Sequence, residues 1–173
     1  DVISADQRRE LLAAQPKNSV ALDLPILEKG ESSGAQYQRT AATWSSWRGD
    51  GTLVDDESPH IYLYEERPPS GRTIRGIFAG IPIGAYGDET GILRHELTLT
   101  GPKADRRALI EAVQANLSPV ILLRAGGHEQ FASAADAASS GAPCATGLTP
   151  SGSDFTLWRV DPATQHGTEL LAW

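Results

Sequence analysis

The densest polar segment of the sequence is Arg94-His95-Glu96-Leu97-Thr98-Leu99-Thr100-Gly101-Pro102-Lys103-Ala104-Asp105-Arg106. It gathers an imidazole, two carboxylates, two hydroxyls and several cations, and it runs straight into an expected helix start. The first amides of a helix have no internal partner, and the aligned peptide dipoles favour an anion there. Lys103 and Arg106 on the opening turns add positive charge. Pro102 removes one donor. In phosphoryl-transfer chemistry Glu96 would orient or deprotonate a hydroxyl, and His95 would donate to a phosphate oxygen or hold Glu96. A plainer reading stands beside this one. Asp105 and Arg106 also suit a solvated helix face, and His95 also suits a partner to a backbone carbonyl.

Other chemistries find less support. His-Glu occurs twice, at His95-Glu96 and His128-Glu129, and neither continues as H-E-x-x-H. Four dispersed His and one Cys give no zinc-ligand spacing, so no metal site is expected. There is no G-x-S-x-G, which speaks against a serine hydrolase of that type. Gly76, Gly80, Gly84 and Gly87 form neither G-x-G-x-x-G nor a G-x-x-x-x-G-K-[ST] loop. Trp44, Trp47 and Trp158 fit core positions better than ligand-stacking ones. Tyr62 and Tyr64 share one strand face, where packing is again the simpler role.

The elements that must carry the polar segment follow from periodicity and breakers. Ser4 with Gln7 forms a capping-box pattern that opens a helix stopped by Pro16. Val20 to Leu24 reads as a short strand, and residues 28–34 as a surface loop. Tyr37, Ala41, Trp44 and Trp47 recur at helical spacing and predict a helix from Ala35 to Trp47, ended by Gly49-Asp50-Gly51. Ile61-Tyr62-Leu63-Tyr64 predicts a strand, Pro68-Pro69-Ser70-Gly71 a turn, and Thr73 to Ile83 the returning strand. The next helix has Thr100 or Gly101 as its cap, Pro102 at its first position and Leu109, Ile110, Val113 and Leu117 as its apolar stripe. Val120 to Leu123 then reads as a buried-type strand. A small-residue helix over Gln130 to Ala138, turns around a weak strand over 139–153, a strand from Phe155 to Val160 and a helix capped by Asp161-Pro162 complete the chain. Mixed hairpins and helices predict an α+β fold: a mixed or antiparallel sheet with packed helices.

Composition narrows the function classes. The 173 residues carry 15 Lys+Arg against 22 Asp+Glu, a net charge of −7, which disfavours a chain that grips nucleic acid through phosphates. The longest aliphatic run, Val120-Ile121-Leu122-Leu123, falls far short of the roughly 20 residues that cross a bilayer. A lone Cys144 cannot form an internal disulfide, and a buried or turn position is its expected place. These features predict a cytoplasmic protein with no nucleic-acid or membrane partner, and the polar segment adds the expectation of a small-molecule substrate. They leave oligomeric state open. With no Met and a first residue Asp1, the sequence reads as a processed product or an excised piece.

The succession His95-Glu96-Leu97-Thr98, Gly101-Pro102-Lys103-Ala104-Asp105-Arg106 and Ala115-Asn116-Leu117-Ser118-Pro119 resembles the bacterial and archaeal family called domain of unknown function 1015. Asp1-Val2-Ile3-Ser4 is similar to the end of its P-Y-D-V-I-S opening, Asn18 and Pro25 fall in its next block, and Gly51-Thr52-Leu53 and Ile61-Tyr62-Leu63-Tyr64-Glu65 match later steps. The likeness covers nearly the whole chain and weakens between Gly126 and Ser153. Leu97, Arg107 and Ile121-Leu122-Leu123-Arg124 depart from the family's usual forms. The resemblance implies kinship with the ParB-like superfamily, which includes free-serine kinases, and hence ATP and magnesium as cofactors. It implies Glu96 and His95 as catalytic residues. Thr98, Lys103, Asp105, Arg106, Asn116 and Ser118 would contact substrate or phosphate, although Asn116 and Ser118 equally suit a turn. Members usually carry a D-G-H-H-R motif downstream. This sequence has none, so by the family pattern residues 1–173 are expected to be one N-terminal region of a larger protein, truncated at both ends and inactive alone. A non-catalytic anion- or nucleotide-binding regulatory domain and a structural interaction domain are the alternatives.

Overall fold

The computed structural model describes residues 3–85, 87, 91–93, 99–149 and 151–172. Its chain divides into two compact units, one drawn from residues 1–55 and 86–120, the other from 56–85 and 121–173.

The first unit is helical. Helix α1 spans Ala5–Ala14 and opens on the expected capping box: the Gln7 amide donates to Ser4 Oγ at 3.2 Å, and the Ser4 amide to Gln7 Oε1 at 2.8 Å. Helix α2 is a single turn, Val20–Asp23, where a strand was expected. The local chemistry explains the difference. Asn18 Oδ1 accepts from the Val20 amide at 3.0 Å and starts a turn, and a short apolar run suits a buried turn as well as a strand. Val20 and Leu22 are buried. Arg8 Nε donates to the Leu24 carbonyl at 2.8 Å, tying α1 to the end of α2.

Helix α3 spans Ala35–Gly49 and helix α4 spans Thr100–Val113, and the two pack against each other. On α3 the buried positions are Thr40 and Trp47, with Tyr37, Ala41 and Trp44 half-buried on the same stripe. On α4 Leu109 and Val113 are buried. Gln114 adopts a left-handed conformation, φ 57°, and ends α4 before the Ser118-Pro119 break expected from sequence. Leu117 therefore lies outside the helix.

The second unit is a four-stranded antiparallel sheet with two helices. Strands β1 (Ile61–Arg67), β2 (Ile74–Phe78), β3 (Ala145–Leu148) and β4 (Asp154–Val160) stand in the order β2-β1-β4-β3. The expected hairpin forms, with Leu63 opposite Ile77 and also opposite Trp158 on β4. Strand β2 is shorter than the expected Thr73 to Ile83. Helices α5 (His128–Ala138) and α6 (Gln165–Ala172) pack together. Ile61, Leu63, Trp158 and Val160 from the sheet meet Phe131, Ala134 and Ala135 from α5 and Leu170 from α6 in one core. Alternate residues of β1 fall on the other face, where Tyr64 meets Phe78 edge-on and stacks on Phe155. The packing role expected for Trp47, Trp158 and Tyr64 holds, and Trp44 is half-buried.

Two further expectations are corrected. Val120 to Leu123 is no buried strand: Val120 is 84% exposed and Leu123 89%. Its apolar residues pair with no strand among the described residues, so the hydrophobic pattern alone misleads. Asp161 forms a turn in which its Oδ1 accepts from the Ala163 amide at 2.8 Å, and α6 begins only at Gln165. Cys144 is exposed, with its thiol 3.3 Å from the Leu157 carbonyl. Trp173 lies outside the described residues. Among the described residues no helix is long and apolar enough to cross a membrane.

Candidate functional site

The candidate site lies in the first unit, where α4 begins. Leu99 is the cap residue, with extended backbone and no side-chain cap bond, and the first helical hydrogen bond runs from the Lys103 amide to the Leu99 carbonyl at 3.2 Å. The helix thus starts earlier than expected, with Thr100, Gly101 and Pro102 forming its opening positions. Pro102 still sits where a missing N–H costs nothing, because helix-opening amides lack internal acceptors. Among the described residues no acceptor meets the Thr100 and Gly101 amides. Lys103 is exposed, and no ion pair joins it to another described residue.

Arg106 and Ser118 come together on one acceptor. Arg106 Nη1 donates to Asp23 Oδ1 at 2.7 Å, and Nη2 donates to the Asp23 carbonyl oxygen at 2.7 Å. The Ser118 hydroxyl donates to the same Asp23 Oδ1. Asp105 faces the other side: its Oδ1 accepts from the Tyr37 hydroxyl at 2.6 Å, and its Oδ2 lies 3.7 Å from Arg106 Nε. The hydrogen bond to Asp105, with burial adding to it, raises the Tyr37 phenol above its usual range. Tyr37 therefore remains a neutral donor at physiological pH. The chain Tyr37–Asp105–Arg106–Asp23–Ser118 joins α3, α4, α2 and the segment after α4.

Of the residues expected at the site, Asp105, Arg106 and Ser118 meet in this network, and Lys103 lies on the same helix. Asn116 is exposed and makes no hydrogen bond to these residues. His95, Glu96 and Thr98 lie outside the described residues. Asp23 and Tyr37 are the members that sequence reasoning missed. A carboxylate inside the apolar run Val20-Ala21-Leu22-Asp23-Leu24 was the available signal for Asp23.

The second unit holds two polar clusters that sequence reasoning also missed. Asp56 accepts from the Tyr62 hydroxyl and from Arg159 Nη1 at 3.0 Å. These bonds hold the Asp56 carboxyl below its usual range, and the bond to Asp56 pushes Tyr62 up to about 12. Glu65 is buried and ion-paired with Arg75 and Arg67, and Arg75 reaches on to Asp136 of α5. These pairs tie strands to strands and to α5, and we assign them to the architecture.

The first-unit site suits a phosphate group better than a divalent metal. Helix-opening amides and an ammonium without a partner among the described residues, together with a guanidinium that has spare N–H groups, are anion-binding chemistry. The described carboxylates at the site, Asp23 and Asp105, are already engaged by Arg106, Ser118 and Tyr37. Any magnesium ligand from this chain would have to come from elsewhere, with Glu96 the nearest carboxylate in sequence.

The fold and site define an α+β protein in which a clamped helix start presents cationic groups. The chain belongs to the family described as protein of unknown function (DUF1015), whose model matches residues 1–169. No curated protein and no solved structure matches it.

Proposed function

We propose that this chain is part of a cytoplasmic, ATP-dependent kinase that phosphorylates a small hydroxyl compound, with free serine as the favoured substrate. One observation carries the reading: the Asp23–Arg106 clamp fixes a helix start whose unbonded amides and unpaired Lys103 directly follow the His95-Glu96-Leu97-Thr98 segment. The family resemblance, with its implied ParB-like kinship, supports it.

Each residue has a task in this scheme. Lys103 and the Thr100 and Gly101 amides bind phosphate oxygens, and Arg106 adds its remaining N–H groups. Glu96 accepts the proton of the attacking hydroxyl, and His95 orients Glu96 or donates to a phosphate oxygen. Thr98 and Ser118 supply hydroxyls toward the substrate, and Asp105, held by the Tyr37 hydroxyl, stands beside Arg106 at the phosphate-binding end. ATP with magnesium would supply the transferable phosphoryl group and neutralise its charge. No nucleic-acid or membrane partner is needed.

The direct test incubates the complete gene product with ATP and serine and measures ADP and phosphoserine. Formation of both in equal amounts supports the kinase. Glu96→Gln should then cut turnover at least a hundredfold, the usual scale for a lost general base, and leave ATP affinity nearly intact. Unchanged turnover would remove Glu96 from the mechanism.

A second reading has its own observation. Asp105, Arg106 and Ser118 are all engaged in internal bonds, which suits a domain that binds an anion without reacting it. ATP binding with no turnover of serine or of any other hydroxy amino acid would favour this reading.

A further inference from the structure

We propose that Asp23 is a positioning residue for the anion site, acting through Arg106. The inference rests on the assignment of Arg106 as a phosphate contact and names the residue that makes that contact possible.

A carboxylate that takes a single N–H leaves the guanidinium free to pivot about that one bond, and the Arg side chain has many rotamers to lose. Asp23 holds Arg106 at two points of different origin. The carboxylate takes Nη1 and the backbone carbonyl of the same residue takes Nη2, each at 2.7 Å. Two acceptors fixed to one residue set the plane of the guanidinium as well as its place. Arg106 has five N–H donors, so this hold leaves three. Its side chain keeps 36% exposure, so these donors are not sealed away.

Asp23 is itself well placed to act as an anchor. It closes the single-turn helix α2, whose first amide is held by Asn18 and whose Val20 and Leu22 are buried. Its Oδ1 also receives the Ser118 hydroxyl, so one oxygen fixes a residue on α4 and one beyond it. The partners are 83 and 95 residues away in sequence. The exposure of both side chains, 36% and 34%, means the pair adds little to stability. Orientation is the effect that remains. A group that contacts ligand is commonly aimed by a partner that does not.

Substitution at Asp23 separates aim from charge. Asn keeps an acceptor at the Oδ1 position and removes the charge, and Ala removes both. In the complete gene product, affinity for ATP and for inorganic phosphate is measured by calorimetry. If Asp23 aims Arg106, Asp23→Asn should stay within about threefold of wild type and Asp23→Ala should weaken binding about tenfold, the scale of one lost charge-assisted bond. Asp23→Ala combined with Arg106→Gln should be no weaker than Arg106→Gln alone. Tighter binding by Asn and Ala alike would overturn the proposal, since Asp23 would then only be cancelling the Arg106 charge. A double variant much weaker than Arg106→Gln would overturn it too. If the wild type binds neither ATP nor phosphate, the kinase reading fails by itself. The hold is then read from the guanidinium NMR signals of Arg106. Slow N–H exchange in wild type that becomes fast in Asp23→Ala supports the hold, and identical exchange in both overturns it.

Discussion

Glu65 offers the sharpest test of what keeps the second unit together. Only 2% of the residue is exposed, yet it carries a carboxylate on the β1 face that also bears Ile61 and Leu63. Its Oε2 accepts from Arg75 Nε at 2.5 Å. Its Oε1 meets only the Arg67 guanidinium, 2.5 Å away in poor hydrogen-bond alignment. Arg75 continues to Asp136 on α5 at 2.5 Å. The perturbation is Glu65→Gln, which preserves volume and removes charge. The Gln carbonyl can still serve Arg75. Its amide group would then point two N–H donors at the Arg67 guanidinium, which accepts nothing.

The magnitude follows from two bounds. Removing one partner of a fully buried ion pair costs about 3–5 kcal/mol, and leaving one buried donor unpaired costs about 1–3 kcal/mol. The upper bound is too high here, because Arg75 and Arg67 are 30% and 65% exposed and stay hydrated, and Arg75 keeps Asp136. We expect a loss of about 2 kcal/mol, nearer the cost of an unpaired donor than of a broken buried pair. Native-state hydrogen exchange at the Leu63 and Trp158 amides reads this directly, since both lie in central strands and report opening of this unit. A loss below about 0.5 kcal/mol, the range of an ordinary surface substitution, would refute the view that Glu65 organises the strand–helix junction. Glu65→Leu with Arg75→Leu should cost less than Glu65→Leu alone, because apolar pairs often replace buried ion pairs without loss.

Three further outcomes are expected. Gly167→Ala should destabilise the second unit by about 1–3 kcal/mol in exchange or denaturant unfolding, because an added methyl would stand 2.2 Å from the Asp161 carbonyl oxygen and 2.8 Å from Pro162 Cα, both backbone atoms. Tyr62 has its folded-state pKa raised from 10.0 to about 12 by its bond to Asp56, so its contribution is whole below pH 10 and is lost as pH rises toward about 12; tyrosinate absorbance and stability should change together across that window and shift down in Asp56→Asn. Lys103→Ala should weaken ATP binding about tenfold while leaving unfolding within about 0.5 kcal/mol, since its side chain is exposed and pairs with no described residue; equal affinity would remove Lys103 from the anion site.

The pattern of what could be read from sequence follows interaction range. The α1 capping box, the β1–β2 hairpin and the α5 helix are written by residues within a few positions of each other, and each stands where periodicity and breakers put it. The two segments whose element type differs from the expectation, Val20 to Leu24 and Val120 to Leu123, are short apolar runs. Period alone cannot assign such runs, because their fate depends on partners elsewhere in the chain. In the first, a local Asn18 bond and burial of Val20 and Leu22 decide for a helical turn. In the second no partner strand arrives, and the run stays exposed.

The site divides in the same way. Residue chemistry and resemblance pick out Lys103, Asp105, Arg106 and Ser118, which are cationic or polar groups beside a helix start or turn. They do not pick out Asp23 and Tyr37, because Asp23 lay in an expected strand and Tyr37 in an expected core stripe. Yet these two decide how the picked residues stand. Without Asp23, Arg106 is one more solvated arginine, and without Tyr37, Asp105 is a carboxylate next to it that would draw the guanidinium away. The Tyr37 hydroxyl engages Asp105 Oδ1 at 2.6 Å and leaves Oδ2 3.7 Å from Arg106 Nε, farther than the 2.7 Å bonds to Asp23. The arginine is thereby assigned to one acceptor residue out of two. That division of carboxylates between a phenol and a guanidinium turns a charged stretch of sequence into an ordered network with one fixed arginine.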